Sequence, residues 1–304
     1  MKSIICIFLL SVVTFVTSSH ALYITADNYN GFAGCIVKYT DSGASPIIFD
    51  YGFNGTRGVA VGKNNTLYVA VVGDNAKASK GVYVYDQYGT RSLFMSGFSI
   101  PHGLTYYNDH LYILDWGAGV ISKYNVDTKE LVESKSGFNN PHSLAIGLNG
   151  ELYITDYSSG TIYTCQSLND PLTVYASGIS GACGIVVGTD GNLYVGSDGS
   201  NRLLEFTAPF TYTTYASIAD PCDVGFTPDG NLLVSSIGSK KLLEYTGSQT
   251  TPTVLDSLYG IGPYYMSFDY EGVAASTSVP EPSSMILIML GLASFRLIKK
   301  KTGN

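Results

Sequence analysis

The stretch Pro141-His142-Ser143-Leu144-Ala145-Ile146, followed by Asn149-Gly150 and by Glu151-Leu152-Tyr153-Ile154-Thr155-Asp156, decides the fold of this chain. Asn-Gly between two short apolar runs is a strong signal for a two-residue hairpin turn. Two further apolar runs follow at 161–165 and 172–176. Four runs of about five residues, separated by turn residues, predict a meander of four antiparallel strands.

The second run of this stretch contains a phrase that recurs along the chain. Its copies are Leu22-Tyr23-Ile24, Leu67-Tyr68-Val69, Leu111-Tyr112-Ile113, Leu152-Tyr153-Ile154, Leu193-Tyr194-Val195 and Leu232-Leu233-Val234. Successive leucines are 45, 44, 41, 41 and 39 residues apart. A period of about 40–45 residues built from short strands is typical of a β-propeller with one four-stranded blade per repeat. The sequence therefore predicts an all-β, six-bladed propeller.

The two ends of the repeat region complement each other. The chain begins the repeat at a second strand, 22–26, and its final apolar run, 263–268, has the pattern of a first strand. We expect these two strands to pair, so that the N-terminal and C-terminal strands close the first blade and leave no open seam. The predicted propeller spans residues 22–273.

Residues 1–21 have the pattern of a secretory signal peptide. Lys2 supplies the positive start, residues 4–16 are mostly apolar, and Ser19-His20-Ala21 is a small-x-small cleavage site. The pattern predicts cleavage after Ala21. An uncleaved membrane anchor is the alternative.

Residues 274–304 contain a second targeting pattern. Pro280, Glu281 and Pro282 precede a mostly apolar run at 285–295. A basic cluster follows the run, formed by Arg296, Lys299, Lys300 and Lys301. The run is shorter than the roughly 20 residues that span a bilayer, which favours a temporary anchor over a permanent one. A plain C-terminal tail anchor remains the alternative.

This combination resembles the PEP-CTERM sorting signal of Gram-negative bacteria. The resemblance implies export by the Sec route and recognition by an exosortase-type processing enzyme. It also implies transient anchoring in the inner membrane and a final place in the periplasm, the outer envelope or the extracellular space. Proteins with this signal often accompany exopolysaccharide production.

The charge of the predicted propeller argues against some partners. Removing both targeting segments leaves 12 of the 17 Lys and Arg residues and 23 of the 24 Asp and Glu residues, a net charge of about −11 against −7 for the whole chain. A clearly acidic domain is not expected to bind nucleic acid or anionic lipid. The charge does not select a ligand.

Alignment of the six predicted first strands gives one position with unusual chemistry, just before each apolar run. Its occupants are Arg57, His102, His142, Cys183, Cys222 and Tyr264. Because first strands line the central channel of a propeller, these six residues are predicted to form a ring near one channel mouth. We call this set the ring position.

Three interpretations of the ring position remain open. Two imidazoles and two thiols are good ligands for a metal such as zinc, so some subset of His102, His142, Cys183 and Cys222 is a candidate metal site. Alternatively, Cys183 and Cys222 form a disulfide, which requires Cα atoms within about 7 Å. In the third interpretation the ring residues line the channel and bind nothing.

The repeat units resemble NHL-repeat propellers over the whole of 22–273. Pro101-His102-Gly103-Leu104 and Pro141-His142-Ser143-Leu144 match the first strand of that group, and Leu111-Tyr112-Ile113-Leu114-Asp115 matches its second strand, as does 152–156. Within the group, similarity to the peptidylglycine amidating lyase implies zinc on His102 and His142. That lyase, however, has a third such histidine and alternating ligand-bearing blades. Streptogramin lyases and gluconolactonase-like enzymes are also similar, and no residue set here assigns either activity.

Two functions are therefore predicted. The first is a non-enzymatic exported propeller, a binding or scaffold protein associated with exopolysaccharide or matrix, with an unknown glycan, peptide or protein as ligand. The alternative is a metal-assisted lyase or hydrolase, in which Arg57 and Tyr264 are the catalytic candidates for stabilising an oxyanion or moving a proton. Asp115 and Asp156, which end second strands, are expected to accept backbone hydrogen bonds in the following turns.

Overall fold

A computed structural model describes residues 21–29, 32–40, 46–247, 251–257 and 263–268. The predicted signal peptide up to residue 20 and the predicted sorting segment 274–304 lie outside the described residues. Within the described ranges, no helix is both long enough and apolar enough to cross a membrane.

The described residues form six sheets of four antiparallel strands, as the repeat predicts. Blade one contains β1 Ala21–Tyr29, β2 Phe32–Thr40, β3 Ile47–Asp50 and the last strand, β24 Pro263–Phe268; blade two contains β4 Asn54–Val61, β5 Leu67–Gly73, β6 Gly81–Tyr85 and β7 Arg91–Met95; blade three contains β8 Pro101–Tyr107, β9 His110–Asp115, β10 Val120–Asn125 and β11 Leu131–Ser136. Blade four contains β12 Pro141–Ile146, β13 Leu152–Asp156, β14 Thr161–Cys165 and β15 Thr173–Ala176; blade five contains β16 Ala182–Val187, β17 Leu193–Ser197, β18 Arg202–Ala208 and β19 Thr211–Ser217; blade six contains β20 Pro221–Phe226, β21 Leu232–Ser236, β22 Lys241–Tyr245 and β23 Thr253–Ser257.

Blade one is closed by the two ends of the described chain. Its strand order is β24-β1-β2-β3, and β24 pairs antiparallel with β1 through Leu22↔Phe268, Tyr23↔Ser267 and Ile24↔Met266. The predicted closure is confirmed. It supplies the inner edge of β1 with backbone hydrogen bonds that would otherwise be unpaired.

The hydrophobic core lies between neighbouring blades. Leu111 and Ile113 of the repeated phrase are fully buried, and Tyr112 between them is 4% exposed. Both faces of a blade are covered by its neighbours, so side chains of either parity are apolar. Tyrosines fill the interblade space edge-on, as Tyr68 does against Phe94 with ring centroids 5.3 Å apart.

Candidate functional site

Each first strand has a break in its pairing at the ring position. The register shifts between Pro141 and Ser143 in β12 and between Pro221 and Asp223 in β20, and corresponding shifts occur in the other four blades. A bulge of this kind leaves one residue outside the ladder and turns its side chain away from the regular alternation. The sequence alignment therefore found the residues that the fold releases from pairing.

Buried hydroxyls hold three of these bulges in place. The Thr155 hydroxyl accepts the Ser143 N–H at 3.0 Å and donates to the Cys183 carbonyl of the next blade at 2.5 Å. Ser235 does the same between the Asp223 N–H and the Tyr264 carbonyl, at 3.0 and 3.2 Å. Thr25 links the Tyr265 N–H to the Arg57 carbonyl, at 3.3 and 2.5 Å. Each hydroxyl thus connects the ring positions of adjacent blades.

Glycines after the ring position allow the inner strands to approach closely. A Cβ on Gly58 would lie 2.3 Å from the His102 carbonyl oxygen, and one on Gly103 would lie 2.3 Å from the His142 carbonyl oxygen. Neither contact is sterically possible, so only glycine fits at these two positions. The corresponding residue of blade one is Tyr265, whose large side chain occupies the central space.

Tyr265 joins the two ring histidines. Its hydroxyl lies 2.5 Å from Nδ1 of His102 and 3.1 Å from Nδ1 of His142, and it is also 3.1 Å from the His142 carbonyl oxygen. A phenol carries one proton, so it donates to only one of these acceptors and must accept from an imidazole N–H for its second contact. The imidazole ring centroids are 4.9 Å apart.

Burial keeps these three groups uncharged. It lowers the pKa of His142 to about 3, with a smaller contribution from the Arg57 charge. Burial, His142 and Arg57 together lower the pKa of His102 well below its ordinary value. Burial also raises the pKa of Tyr265 far above the usual range. The site is therefore a neutral hydrogen-bonded cluster at physiological pH.

The two ring thiols are buried beside this cluster. Cys183 is 1% exposed and Cys222 is 4% exposed, and they are not joined as a disulfide. The Cys183 thiol donates to the Gly181 carbonyl at 3.1 Å. Burial raises the pKa of both thiols, and proximity to Cys222 raises the pKa of the Cys183 thiol further. Both are therefore protonated and poorly nucleophilic.

The remaining two ring residues stack on each other. The Arg57 guanidinium carbon lies 4.1 Å from the centroid of the Tyr264 ring, which is a cation–π contact. Arg57 also donates to the Thr56 carbonyl at 2.9 Å. Tyr264 was predicted as a catalytic candidate, but the tyrosine that contacts the histidines is its neighbour Tyr265.

A second set of residues extends the mouth outward and was missed by the sequence reasoning. Partly exposed Trp116 lies 4.8 Å from the His102 ring and 5.1 Å from the Tyr157 ring, measured between centroids. The Tyr157 hydroxyl donates to Asp198 at 2.7 Å. Trp116, Tyr157 and Asp198 are the residues that directly follow three second strands, so the repeat alignment could have found them. We call the surface formed by Arg57, His102, Trp116, Tyr157, Asp198 and Tyr264 the aromatic mouth.

The aspartates that end the second strands have a structural role, as expected, but with partly different donors. Asp115 accepts the backbone N–H groups of Ser99 and Ile100 at 2.7 and 2.8 Å, and that of Ala118 at 3.2 Å. Asp156 accepts from Asn139 at 2.7 Å. Most of these donors lie in the connection that precedes the blade, so the aspartates fasten that connection as well as the following turn.

The candidate metal ligands are brought to one end of the channel but not into a ligand set. Within the residues that the structure describes, no three His, Cys, Asp or Glu side chains are grouped so that they could hold a metal ion. His102 and His142 each turn a ring nitrogen toward the Tyr265 hydroxyl. The arrangement does not fit a tetrahedral zinc site, and metal binding stays a prediction.

The opposite end of the channel is a cavity of about 950 Å³. Its wall consists of the second halves of all six first strands and of turn residues that follow four of them, and Tyr265 borders it from within the channel. Asp223 also borders it and accepts the Met266 N–H at 2.9 Å. Burial raises the pKa of Asp223 to about 7, although two backbone N–H groups oppose that change. Tyr265 thus separates this cavity from the aromatic mouth.

The C-terminal segment matches a known family model. Residues 278–301 match the PEP-CTERM protein-sorting motif, which is the recognition signal of exosortase. The chain thus carries the sorting motif of an exported protein. No curated protein matches the chain.

Solved structures share the fold at low sequence identity. A chain of the nidogen/laminin complex aligns with a TM-score of 0.68 and 13% identity, covering 84% of this chain and all (100%) of that chain. Selenomethionine-substituted virginiamycin B lyase from Staphylococcus aureus aligns with a TM-score of 0.59 and 14% identity, covering 77% and 80% of the two chains. A putative gluconolactonase aligns with a TM-score of 0.60 and 14% identity, covering 71% and 82%. These likenesses establish the propeller fold and no activity.

Proposed function

We propose that the protein is an exported binding protein of the envelope or extracellular matrix, and that its aromatic mouth holds a glycan. The observation that carries this proposal is the grouping of partly exposed Trp116, Tyr157 and Tyr264 around one end of the channel. Arg57 and Asp198 lie among these rings and add one charge of each sign. The sorting motif at 278–301 supports an exported destination.

The chemistry of the mouth suits a saccharide. A sugar ring has apolar faces made of C–H groups and a rim of hydroxyls. Aromatic rings with polar edges complement the faces, as Trp116 and Tyr157 could. Charged groups form strong hydrogen bonds with hydroxyls, and Asp198 and Arg57 offer an acceptor and a donor beside the rings. Binding of this kind needs a rigid scaffold with suitable loops and no reactive group.

The single tryptophan of the chain makes a direct test possible, because Trp116 alone reports the mouth by fluorescence. The exported protein is titrated with exopolysaccharide purified from the producing cells and with oligosaccharides derived from it. We expect a saturable change in emission, and at least tenfold weaker binding in Tyr157→Ala, which is about 1.4 kcal/mol.

The matched control is Tyr88→Ala, which removes an equally large ring that is 83% exposed and remote from the mouth. It should bind like the unaltered protein. If no saccharide changes the Trp116 emission, or if Tyr88→Ala weakens binding as much as Tyr157→Ala, the glycan proposal is wrong.

The alternative, a metal-assisted lyase or hydrolase, has one observation in its favour, the adjacency of two neutral imidazoles. His102 and His142 lie with ring centroids 4.9 Å apart, and neutral imidazole is the ligand form of histidine. Metal content of the purified protein decides between the two functions. Near-stoichiometric zinc that is lost in a His102→Ala, His142→Ala double variant would favour the enzyme, and metal-free protein that binds glycan would exclude it.

The proposed route to the envelope is processing by an exosortase-type enzyme at the C-terminal segment. Pro280, Glu281 and Pro282 form the motif within the matched residues, and the basic residues up to Lys301 complete it. Intact mass of the exported protein tests this route. Loss of the tail in the unaltered protein and its retention after Glu281→Ala are expected.

A further inference from the structure

The cavity at the far end of the channel is a second site, separate from the aromatic mouth. Its volume of about 950 Å³ lies at the upper end of the range for small-molecule sites. Asp223 at its inner end and Phe226 at its rim are three positions apart along β20. At about 3.3 Å per residue, the cavity is about 10 Å deep.

Its wall is mostly apolar, and its inner end is not. Leu104, Ala145 and Val186 contribute to the wall on three different blades. At the inner end lie the Asp223 carboxyl group, 6% exposed, and the Tyr265 ring, 3% exposed. A ligand that enters the cavity therefore meets hydrocarbon along its length and one acidic group at its tip.

The acidic group has no cationic partner among the described residues. Of the lining residues that the structure describes, Lys63 alone is basic, and it pairs with Asp109 and Asp127 at the rim, at 3.2 and 2.7 Å. Asp223 forms no ion pair in the described part of the chain, and its carboxyl group is held by the backbone N–H of Met266. The fixed position and the missing cation make this carboxyl group a ready partner for a ligand.

We propose that the cavity binds an organic cation with an apolar arm, with its ammonium group against Asp223 and the Tyr265 ring. An ammonium group donates a charge-assisted hydrogen bond to the Asp223 carboxylate and is attracted to the Tyr265 ring. The apolar arm removes hydrocarbon surface from water along the wall. An anionic ligand would bring a like charge to the carboxyl group and is disfavoured.

Two probes of the same shape test the role of charge. Hexylamine and 1-hexanol are titrated into the exported protein by isothermal calorimetry at about pH 8, above the pKa of about 7 for Asp223, where the carboxyl group is mostly ionised and hexylamine is still protonated. Hexylamine is expected to bind at least tenfold more tightly than 1-hexanol. In Asp223→Asn, which is nearly isosteric, the two probes are expected to bind with affinities within about twofold, because hexylamine alone loses its partner.

The matched control is Asp229→Asn, which removes an exposed carboxylate of the same blade outside the cavity lining. It should keep the full preference for hexylamine. Near-ultraviolet circular dichroism checks that each variant is folded. Equal affinities of the two probes for the unaltered protein, no binding of hexylamine, or an unchanged preference in Asp223→Asn would each overturn the proposal.

A second variant covers the case in which Asp223→Asn does not fold. Ser267 borders the cavity one residue after Met266, whose N–H contacts Asp223. Ser267→Lys adds a resident ammonium group to the lining of the cavity and should weaken hexylamine binding at least tenfold by charge repulsion, while 1-hexanol binding falls less. Undiminished hexylamine binding in Ser267→Lys would also overturn the proposal.

Discussion

The two ends of the channel are built from the same six strands but have different chemistry. At the end that carries the aromatic mouth, the six ring positions hold side chains of four residue types, and Trp116 and Tyr157 extend this end outward. At the cavity, the same strands contribute mainly apolar residues, with Asp223 as the exception deep inside. At the first end, bulges turn the ring-position side chains away from the regular alternation of the strands. At the second end, the strands pair regularly and their side chains form a mainly apolar wall.

Burial affects the titrating groups of the two ends in opposite directions. It lowers the pKa of His142 to about 3 and raises that of Asp223 to about 7. In both cases it disfavours the charged form. One physical cause therefore keeps a base unprotonated at the mouth and keeps an acid protonated up to about pH 7 at the cavity, where a bound cation would favour ionisation of Asp223.

The largest expected effect comes from removing the side chain of Tyr265, which separates the two ends and which we call the channel divider. Tyr265→Ala deletes a buried ring, which should lower the free energy of unfolding by about 3–5 kcal/mol in urea denaturation. It should also connect the two ends, so that hexylamine changes the Trp116 emission in this variant alone.

Tyr265→Phe is its matched control because the ring stays and the hydroxyl shared by two histidines is lost. A cost of about 1–3 kcal/mol is expected for the unsatisfied imidazole. A loss below about 1 kcal/mol in Tyr265→Ala would contradict the role of this residue as a packed divider.

The second effect is a pH dependence of the free energy of unfolding that has opposite signs for His142 and Asp223. For His142, the unfolded chain takes up a proton below about 6.5 while the folded chain does not until about 3, so stability falls as pH decreases through this window. For Asp223, the unfolded chain ionises above 3.8 while the folded chain stays protonated to about 7, so stability falls as pH increases through that window. Each slope is about 1.4 kcal/mol per pH unit.

The measurement is urea denaturation from pH 4 to 7 for His142→Gln and Asp223→Asn. Relative to the unaltered protein, His142→Gln should become less destabilising as pH decreases, and Asp223→Asn should become less destabilising as pH increases. Parallel pH profiles of the two variants would show that the two ends do not differ as described.

The third effect tests how the ring positions are held. Thr155→Val keeps the shape of a fully buried side chain but leaves the Ser143 N–H and the Cys183 carbonyl without their shared hydroxyl. A loss of about 1–3 kcal/mol is expected in thermal or urea unfolding. Thr173→Val, at an exposed position of the same blade, should change stability by less than about 0.5 kcal/mol. Equal effects of the two variants would contradict the proposed role of the bridge.

The smallest effect concerns the outer edge of the mouth. Tyr157→Phe removes the 2.7 Å hydrogen bond to Asp198 at a partly exposed position, and about 0.5–1.5 kcal/mol of stability should be lost. The cavity should not respond, so hexylamine affinity should stay within about twofold. A changed hexylamine affinity would mean that the divider transmits changes from one end to the other.

Local patterns were enough to predict the architecture. Apolar runs and Asn-Gly or Asp-Gly turns define each strand, and the phrase around Leu152 repeats with little change, so blade number and closure by 263–268 followed directly. The ring position was also recognisable in the sequence, because it directly precedes the apolar run of every first strand, and the structure has a register shift at this place in every repeat.

The arrangement of side chains within the site was not predictable to the same degree. Whether Tyr264 or Tyr265 crosses the channel depends on the bulge and on glycines such as Gly58 and Gly103 that leave space opposite. Asp223 was overlooked beside Cys222 because nothing local marks a carboxyl group as buried. Its burial results from six strands that are far apart in the chain.

The strand that carries Tyr265 also joins the propeller to its tail. β24 is the last described strand, and nine residues lie between Phe268 and residue 278, where the sorting motif begins. Within its sheet, β24 is hydrogen-bonded to β1 alone. β24 also contacts both neighbouring blades, through the Met266 N–H to Asp223 of blade six and through the Ser267 hydroxyl to the Val61 N–H of blade two. A pulling force on the tail would therefore load the β1–β24 ladder together with these two contacts, which are made by the two residues that directly follow the channel divider along β24.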